Sequence, residues 1–258
     1  MKPENLKAIN QSFEIQAEQF ESKALQFTKQ EYLDYTVESV KPRGDESMLE
    51  VAAGTCACGR SFAPHRRNVV CLDATGAMLE AGRREAESSN LKNMVFVKGY
   101  AEELPFLDGS YDILFSRLAF HHFTDPGKCF SEMVRCLRTG VRLVMIDMEA
   151  AREDLRFTQD AIETLRDPSH VRNLSKEEML SLFTVHGLRV EKCETTKVRQ
   201  ELTSWMALTK TPETTRKDIL RKMEEDLGGG EKTGFSPYVM DGKICFDQRW
   251  VLPVGIRL

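Results

Sequence analysis

The stretch MLEVAAGTCACGRSFAPHRRNVVCLD, residues 48–73, decides the fold of this chain. Its first apolar run ends in three small residues, 52–54, and its second apolar run, 69–72, ends in an acid, Asp73. This order predicts a strand, a tight turn, a short helix and a second strand with a carboxylate at its tip. Nucleotide-binding α/β folds place such an acid ~20 residues after the glycine turn, close to the spacing from Gly54 to Asp73. With a single glycine in the turn, the stretch by itself is a weak signal.

Strand and helix patterns alternate on both sides of this stretch. Further strands are predicted at 94–98, 111–116, 141–148 and 188–198. Helices are predicted at 5–20, 30–40, after Thr75, at 126–137 and 152–165, after Ser175, and at 202–208 and 213–227. Ser175 and Glu178 have the spacing of a capping box. Strands separated by helices of this length indicate parallel crossover units in a doubly wound sheet.

The C-terminal residues predict a hairpin followed by a last strand. AspGly at 241–242 is typical of a tight hairpin turn. Residues 250–258 alternate, which predicts one buried face. Pro253 lies inside this strand and cannot donate a ladder hydrogen bond, so it favours an edge strand or a bulge.

Composition is that of an ordinary globular protein. The chain has 258 residues, 41% of them hydrophobic and 29% charged, with a net charge of −4. This length suits one large α/β domain or a domain with a cap. Lysine and arginine are scattered, which argues against nucleic acid as a partner. No apolar run approaches the ~18 residues that span a bilayer, and the first twenty residues lack a signal-peptide core. The seven dispersed cysteines indicate reduced thiols, so a cytoplasmic location is expected.

Four segments together resemble the motifs of class I S-adenosylmethionine-dependent methyltransferases. They are LEVAAGTCACG, VVCLDATGAMLEAGR, GYAEELPFLDGSYDILFSRLAFHHFTDP and RCLRTGVRLVMID, which fall within residues 48–147. The chain is most similar to the ubiquinone and menaquinone biosynthesis group and its small-molecule relatives. The resemblance implies a Rossmann-like sheet of seven strands, six parallel and the last antiparallel. The expected organisation is a helical cap at 1–45, a cofactor-binding core at 46–198, and a helical insertion with the final strand at 199–258.

The resemblance implies S-adenosylmethionine as the cofactor, with S-adenosylhomocysteine as its product. Glu50, Ala52 and Gly54 correspond to the loop around the methionine and ribose parts, and Asp73 to the acid that binds the ribose. The remaining positions implied to contact the cofactor are Phe20, Ala74, Met78, Tyr100, Ala101, Glu102, Ser116 and Arg117.

Four positions depart from the family pattern. Ala52 and Cys56 replace glycines, Tyr100 replaces an acid that bonds the adenine amino group, and Phe20 replaces a tyrosine of the N-terminal helix. Ala52 is expected to be a mild change because a methyl group is small. A side chain at Cys56 in a turn that needs positive φ costs on the order of 1 kcal/mol. These changes keep open a second reading, a methyltransferase-fold protein that has lost activity and serves binding or regulation.

Candidate catalytic residues follow the fourth and fifth strands. His121 and His122 are candidates for a general base, which is needed only if the acceptor atom carries a proton. Neighbouring side chains on a helix point about 100° apart, so one of the two is expected to face the pocket. Asp147 lies at the tip of the fifth strand and is a candidate for substrate contact, as are Arg117 and His170. Packing or salt-bridge roles are the alternative for each.

The leading hypothesis is methyl transfer to a small organic acceptor through oxygen, nitrogen or carbon. Cys56, Cys58 and His65 lack a second ligand pair, so no metal site is expected. A nicotinamide-dependent oxidoreductase is a third reading, which the later motifs disfavour. The acceptor and the oligomeric state stay open.

Overall fold

Five parallel strands form the central part of the sheet in this computed structural model, which describes residues 3–17, 20, 30–41 and 43–258. The strands are β1 (Ser47–Val51), β2 (Asn68–Asp73), β3 (Met94–Lys98), β4 (Tyr111–Arg117) and β5 (Leu137–Met148). They lie in the order β3-β2-β1-β4-β5. Every residue of β1 is buried, as expected for a parallel strand with helices on both faces.

Nine helices of four or more residues connect or cover the strands of the described chain. They are α1 (Leu6–Gln16), α2 (Gln30–Val40), α3 (Ala57–Phe62), α4 (Gly76–Ser88), α5 (Pro126–Cys136), α6 (Arg156–Arg166), α7 (Lys176–Val185), α8 (Leu202–Leu208) and α9 (Glu213–Leu227). The predicted capping box starts α7, where Ser175 accepts from the N–H of Glu178 and Glu178 accepts from the N–H of Ser175. The first helix was predicted to run to Phe20, but α1 ends at Gln16, and residues 18–19 lie outside the described chain.

Three C-terminal strands complete the sheet. These are β6 (Leu188–Glu201), β7 (Tyr238–Met240) and β8 (Lys243–Arg257). β8 lies antiparallel between β5 and β6, and the short β7 pairs with β8 across the Asp241–Gly242 turn. Both turn residues have positive φ, which matches the predicted hairpin. The predicted α/β class with a mostly parallel sheet and an antiparallel last strand is confirmed. The division of the chain at residues 45 and 198 stays a prediction.

The last strand differs from its prediction in two ways. β8 begins at Lys243, and its residues 250–255 are all buried, so both faces are covered and not one. Pro253 therefore lies in an interior strand and not at an edge. It pairs with Cys193 on β6, whereas the pairing with β5 is interrupted between Val251 and Val254. A register shift in β6 between Val190 and Lys192 accompanies this interruption.

Two apolar layers cover the two faces of the sheet. One contains Phe120, Phe130 and Phe183, and the other contains Phe62 and Phe115. Cys129 and Cys136 are free thiols buried in the first layer, where they pack among apolar side chains. A third cluster joins α6, α8, α9 and β8 beyond the carboxyl ends of the strands.

The turn after β1 holds the backbone in an unusual conformation. Ala52, Gly54 and Cys56 have φ of 53°, 54° and 59°, the left-handed region that favours glycine. Cys56 thus occupies the positive-φ turn predicted for it. Ala52 was expected to be a mild replacement, yet its backbone carries the same strain. Gly82 of α4 packs on this turn so closely that a Cβ there would lie 2.5 Å from the carbonyl O of Thr55.

We predict that Ala52→Gly raises the free energy of unfolding by about 0.5–1 kcal/mol, because glycine relieves the positive φ. Ala53→Gly is the matched control, since Ala53 is also half-buried but lies outside the positive-φ region. The control should lower stability by about 0.5–1 kcal/mol. Urea denaturation of the three proteins measures both differences. A loss of stability in Ala52→Gly equal to that in Ala53→Gly would contradict the strain.

Candidate functional site

The principal cavity of the described chain opens where the carboxyl ends of β1, β2 and β4 meet. Parallel strands bring their following loops to one edge of the sheet, so three separate sequence motifs converge there. Thirteen of the residues predicted for the site line this cavity: Phe20, Glu50, Ala52, Gly54, Asp73, Ala74, Tyr100, Ala101, Glu102, Arg117, His121, His122 and His170.

Asp73 joins the two loops at the floor of the cavity. Its Oδ2 accepts from the N–H of Gly54 at 2.8 Å, and its Oδ1 accepts from the N–H of Thr75 at 2.8 Å. Burial raises the pKa of this carboxyl, although both N–H groups oppose the change. Each oxygen keeps a further lone pair, so the carboxylate can still accept from a ligand hydroxyl. Thr75 occupies the cap position of α4 as predicted, but its side chain makes no capping bond.

Glu50 lies in the wall of the cavity at the end of β1. Its Oε2 accepts from the N–H of Gly59 at 2.8 Å, which ties β1 to α3. A Cβ on Gly59 would lie 2.7 Å from that same oxygen, so only glycine fits there. Burial raises the pKa of Glu50 to about 7, so this carboxyl is poised between its two protonation states near neutral pH.

Cys56 does not obstruct the cavity. Its side chain is fully buried away from the lining, and its Sγ donates weakly to the carbonyl O of Gly54 at 3.6 Å. Tyr100 does line the cavity, at the position where an acid was expected. Of these two departures, Tyr100 is therefore the one that a bound molecule could meet, and Ala52, the mild one, also lines the cavity.

Three buried polar atoms of cavity-lining residues have no partner among the described protein atoms. They are Oγ1 of Thr55, Oε1 of Glu102 and Nε1 of Trp205. Buried polar groups are rarely left unpaired, because each costs about 1–3 kcal/mol. These atoms are consistent with a cavity that is completed by a polar ligand or by water.

Three predicted site residues are buried outside the cavity lining, and their contact with a ligand stays a prediction. Met78 is on the inner face of α4 and is fully buried. Ser116 is fully buried. Its Oγ donates to the carbonyl O of Val51, 2.9 Å away on the neighbouring strand. Asp147 is 1% exposed and lies behind His121.

Asp147 holds His121 in one orientation. Nδ1 of His121 lies 2.6 Å from Oδ1 of Asp147, and Oδ2 accepts from the N–H groups of Ala119 and Phe120. Burial opposes the charge on Asp147, but His121 and the N–H groups outweigh it and lower the pKa of that carboxyl. Because Asp147 is ionised, Nδ1 of His121 carries the proton, and the Nε2 of a neutral ring is free to act as a base. Burial alone would lower the pKa of His121, but Asp147 raises it above the ordinary 6.5.

His122 has the opposite character, although it also lines the cavity. Its Nδ1 lies 3.1 Å from both the carbonyl O and the Oγ of Ser169. A carbonyl only accepts, so this nitrogen carries the proton and Nε2 keeps its lone pair. Burial, together with His121, lowers the pKa of His122 to about 3. His122 is therefore a neutral acceptor at physiological pH.

Charged residues from α6 and the loop after it form the same end of the cavity. Glu163 is 2% exposed, and its carboxylate lies 3.5 Å from the guanidinium of Arg166. Arg166 also donates to the carbonyl O of Trp205 and stacks 4.4 Å from its ring. Burial lowers the pKa of Arg166, which Glu163 and Asp167 partly offset. Sequence reasoning missed Glu163, Arg166 and Asp167, because an isolated helical pattern does not show which polar face meets a cavity.

Helix α1 covers the mouth of this end. Asn5 donates to the carbonyl O of His122 at 2.9 Å, and Gln16 donates to Asp167 at 3.3 Å. Phe13 packs edge-on against the His122 ring, with 5.1 Å between ring centroids. This helix belongs to the segment expected to be a helical cap, residues 1–45, and its action as a lid over the cavity stays a prediction.

Comparison with known proteins gives relatives that match this architecture. A methyltransferase domain family model matches residues 49–145. The uncharacterized methyltransferase YcgJ of Bacillus subtilis is 30% identical over 90% of this chain and 92% of its own length. Its crystal structure superimposes with a TM-score of 0.79 over 87% of this chain and 97% of that one, at 27% identity.

The chain belongs to the S-adenosylmethionine-dependent methyltransferases. YafE of Escherichia coli, an uncharacterized protein, is 39% identical over 56% of this chain and 70% of its own length. The ubiquinone/menaquinone C-methyltransferase UbiE of Ruegeria sp. is 31% identical over 47% of this chain and 50% of its length. The predicted class I methyltransferase, related to the UbiE group, is thereby confirmed.

The charged residues of α6 and of the loop after it form one end of the cavity. They lie outside the part of this methyltransferase that the family model matches. That match covers β1 to β5 up to residue 145 and includes the loops of Asp73, Tyr100 and His121. Glu163 and His170 come later in the chain. The matched part thus contains the loops at the strand tips, whereas α1 and residues after β5 line the other end of the cavity.

No set of three or more histidine, cysteine or acidic side chains in the described chain is arranged to hold a metal ion. None of the described helices is long and apolar enough to cross a bilayer.

We predict that Asp147→Asn lowers the pKa of His121 in this methyltransferase from above 6.5 to below it. Asparagine keeps an acceptor for the backbone N–H groups but removes the charge, and burial then dominates. Titration of the ring resonances by nuclear magnetic resonance measures the change, with matching near-ultraviolet circular dichroism spectra as the fold control. A His121 pKa that the substitution leaves unchanged would contradict the pairing.

Proposed function

We propose that this methyltransferase binds S-adenosylmethionine at the tips of β1 and β2 and transfers its methyl group to a small organic acceptor at the His121 end. The observation that carries the proposal is the Asp73 carboxylate, which lies on the cavity at the end of β2. An acid at this position accepts hydrogen bonds from the hydroxyls of a bound ribose in nucleotide-binding α/β folds. When bound, the cofactor supplies a methyl group on a positively charged sulfur.

The residues around Asp73 fit the remaining parts of such a cofactor. The turn of Ala52 and Gly54 brings backbone close to the cavity without bulky side chains. At the other side, Tyr100, Ala101 and Glu102 provide a wall for a purine, and Oε1 of Glu102 is an unpaired acceptor there. An amino group on the purine would satisfy that acceptor, which suits the replacement of the usual acid by Tyr100.

The acceptor end suits a reaction that releases a proton. Nε2 of His121 is the available base, because Asp147 fixes the proton on Nδ1 and stabilises the imidazolium that forms. Asp147 is a positioning residue in this scheme and does not touch the substrate. His122 stays neutral and holds the acceptor by a hydrogen bond. The cover provided by α1 favours a small molecule over a macromolecule, because a bulky partner would meet this helix before reaching His121.

The two alternative readings predict different binding. A lapsed methyltransferase fold would give neither heat nor a thermal shift with S-adenosylhomocysteine. The position of Cys56 outside the cavity removes one of the two departures that motivated this reading. A nicotinamide-dependent enzyme would be stabilised by NAD and not by S-adenosylhomocysteine.

We predict that Asp73→Asn weakens S-adenosylhomocysteine binding by about 10- to 100-fold, because a hydrogen bond to a charged group contributes about 1.5–3 kcal/mol. Isothermal titration calorimetry measures the dissociation constant. Asn is chosen because it keeps one acceptor for the N–H of Gly54. Asp108→Asn on the exposed loop before β4 is the matched control and should bind like wild type. Equal affinity of Asp73→Asn and wild type would exclude the assigned ribose contact.

A further inference from the structure

Three buried imidazoles line the end of the cavity opposite Asp73, and each has one nitrogen already committed. His121 donates from Nδ1 to Asp147, His122 donates from Nδ1 to Ser169, and His170 donates from Nε2 to Oδ1 of Asp160 at 2.9 Å. In the neutral rings the second nitrogen carries a lone pair and can only accept. The His121 ring centroid lies 4.1 Å from that of His122 and 5.7 Å from that of His170. This end of the cavity is therefore rich in acceptors.

The fixed charges around these rings are mostly negative. Among the described residues at this end, four carboxylates lie near the rings, and the guanidinium of Arg166 is the positive charge beside them. The carboxylates belong to Asp147, Asp160, Glu163 and Asp167. The donors of Arg166 are directed to Glu163 and to the carbonyl O of Trp205, and its plane lies on the Trp205 ring. An anionic ligand placed among the three rings would face these carboxylates and lone pairs. Arg117, which also lines the cavity, lies near Glu50 and over the ring of Trp250.

Glu163 is the least satisfied of these carboxylates. Asp147 accepts from three backbone N–H groups besides His121, and Asp167 accepts from Ser169 and Gln16. Among the described residues, Glu163 has one ion pair, with Arg166 at 3.5 Å, although its side chain is 3% exposed and the residue lines the cavity. Burying a carboxylate with so few partners is costly unless a cation completes its surroundings.

We propose that the methyl acceptor is a protonated amine with an apolar body, whose ammonium group lies between Glu163 and Nε2 of His121. An ammonium has donors and no acceptor, which complements the carboxylate and the imidazole lone pairs. Phe13, Phe123 and Trp205 line the same cavity and suit the apolar part of the molecule. This inference rests on the proposed function and assigns its acceptor class.

The proton and electron balance of such a transfer is complete with groups already named. The ammonium gives one proton to Nε2 of His121, which frees the nitrogen lone pair. That lone pair forms the new N–C bond while the C–S bond of the sulfonium breaks, and the electron pair of the broken bond stays on sulfur. The products are an N-methylammonium, a neutral thioether and a protonated His121, which returns its proton to water. The raised pKa of His121 favours this first proton transfer.

The test is calorimetric titration of the wild-type protein saturated with S-adenosylhomocysteine, using three probes of similar shape. These are 2-phenylethylamine as the cation, 2-phenylethanol as the neutral hydroxyl and phenylacetate as the anion. The amine should bind at least tenfold more tightly than the alcohol, and phenylacetate should be the weakest of the three. Binding of the alcohol or of phenylacetate as tight as that of the amine, or no binding of the amine, overturns the inference.

One variant tests whether the Glu163 carboxylate selects the amine, and a second variant serves as its control. Glu163→Gln should weaken 2-phenylethylamine binding at least fivefold and leave the binding of 2-phenylethanol and S-adenosylhomocysteine unchanged. Glu177→Gln, on the exposed side of α7, is the matched control and should change none of these affinities. An unchanged amine affinity in Glu163→Gln would refute the anchor. If Glu163→Gln does not fold, the probe series in the wild type decides alone.

The proposed function can fail separately from this inference. Absence of S-adenosylhomocysteine binding to the wild type would remove the proposed function itself. Binding of S-adenosylhomocysteine together with failure of the amine to bind would remove the acceptor class and leave the cofactor site standing.

Discussion

The carboxylate of Asp73 is the contact on which the site depends. It takes one N–H from the turn after β1 and one from the start of α4, so a single side chain joins two loops that the chain makes separately. Without it, the strained turn would lose the partner that fixes its backbone. The surrounding loops hold this backbone in place. The turn therefore tolerates the positive φ of Ala52 and Cys56 and the close packing of Gly82. In the proposed function, this one carboxylate thus serves both the architecture and the recognition of the cofactor.

At the end of the cavity opposite Asp73, two neighbouring histidines have different partners and therefore different pKa values. His121 and His122 are adjacent in sequence and both buried, yet one pairs with a carboxylate and the other with a carbonyl. The pKa of His121 is consequently raised and that of His122 falls to about 3. The proposed function accordingly gives these two identical side chains different roles, base and neutral acceptor, within one site. Burial alone would have lowered both values.

The sequence predicted most of the fold because the deciding patterns are local. Strand runs, the capping box and the AspGly turn each determine nearby backbone, and the order of motifs implied the sheet. For Pro253 the sequence left an edge strand or a bulge open, and the edge was wrong, because local propensity does not reveal which strands flank it. Asp147 was predicted at a strand tip, as found, but its contact with His121 depends on a side-chain direction that spacing alone leaves open. Glu163 and Trp205 carry no motif, and only the packing of α6 and α8 brings them to the cavity.

We propose that the nucleoside of the methyl donor lies at the tip of β2, with its sugar held by Asp73. A crystal structure of the S-adenosylhomocysteine complex would test this position. We expect both ribose hydroxyls within about 2.5–3.2 Å of the Asp73 carboxylate, with the sulfur pointing toward His121. A ligand bound elsewhere, or a ribose that faces away from Asp73, would contradict it.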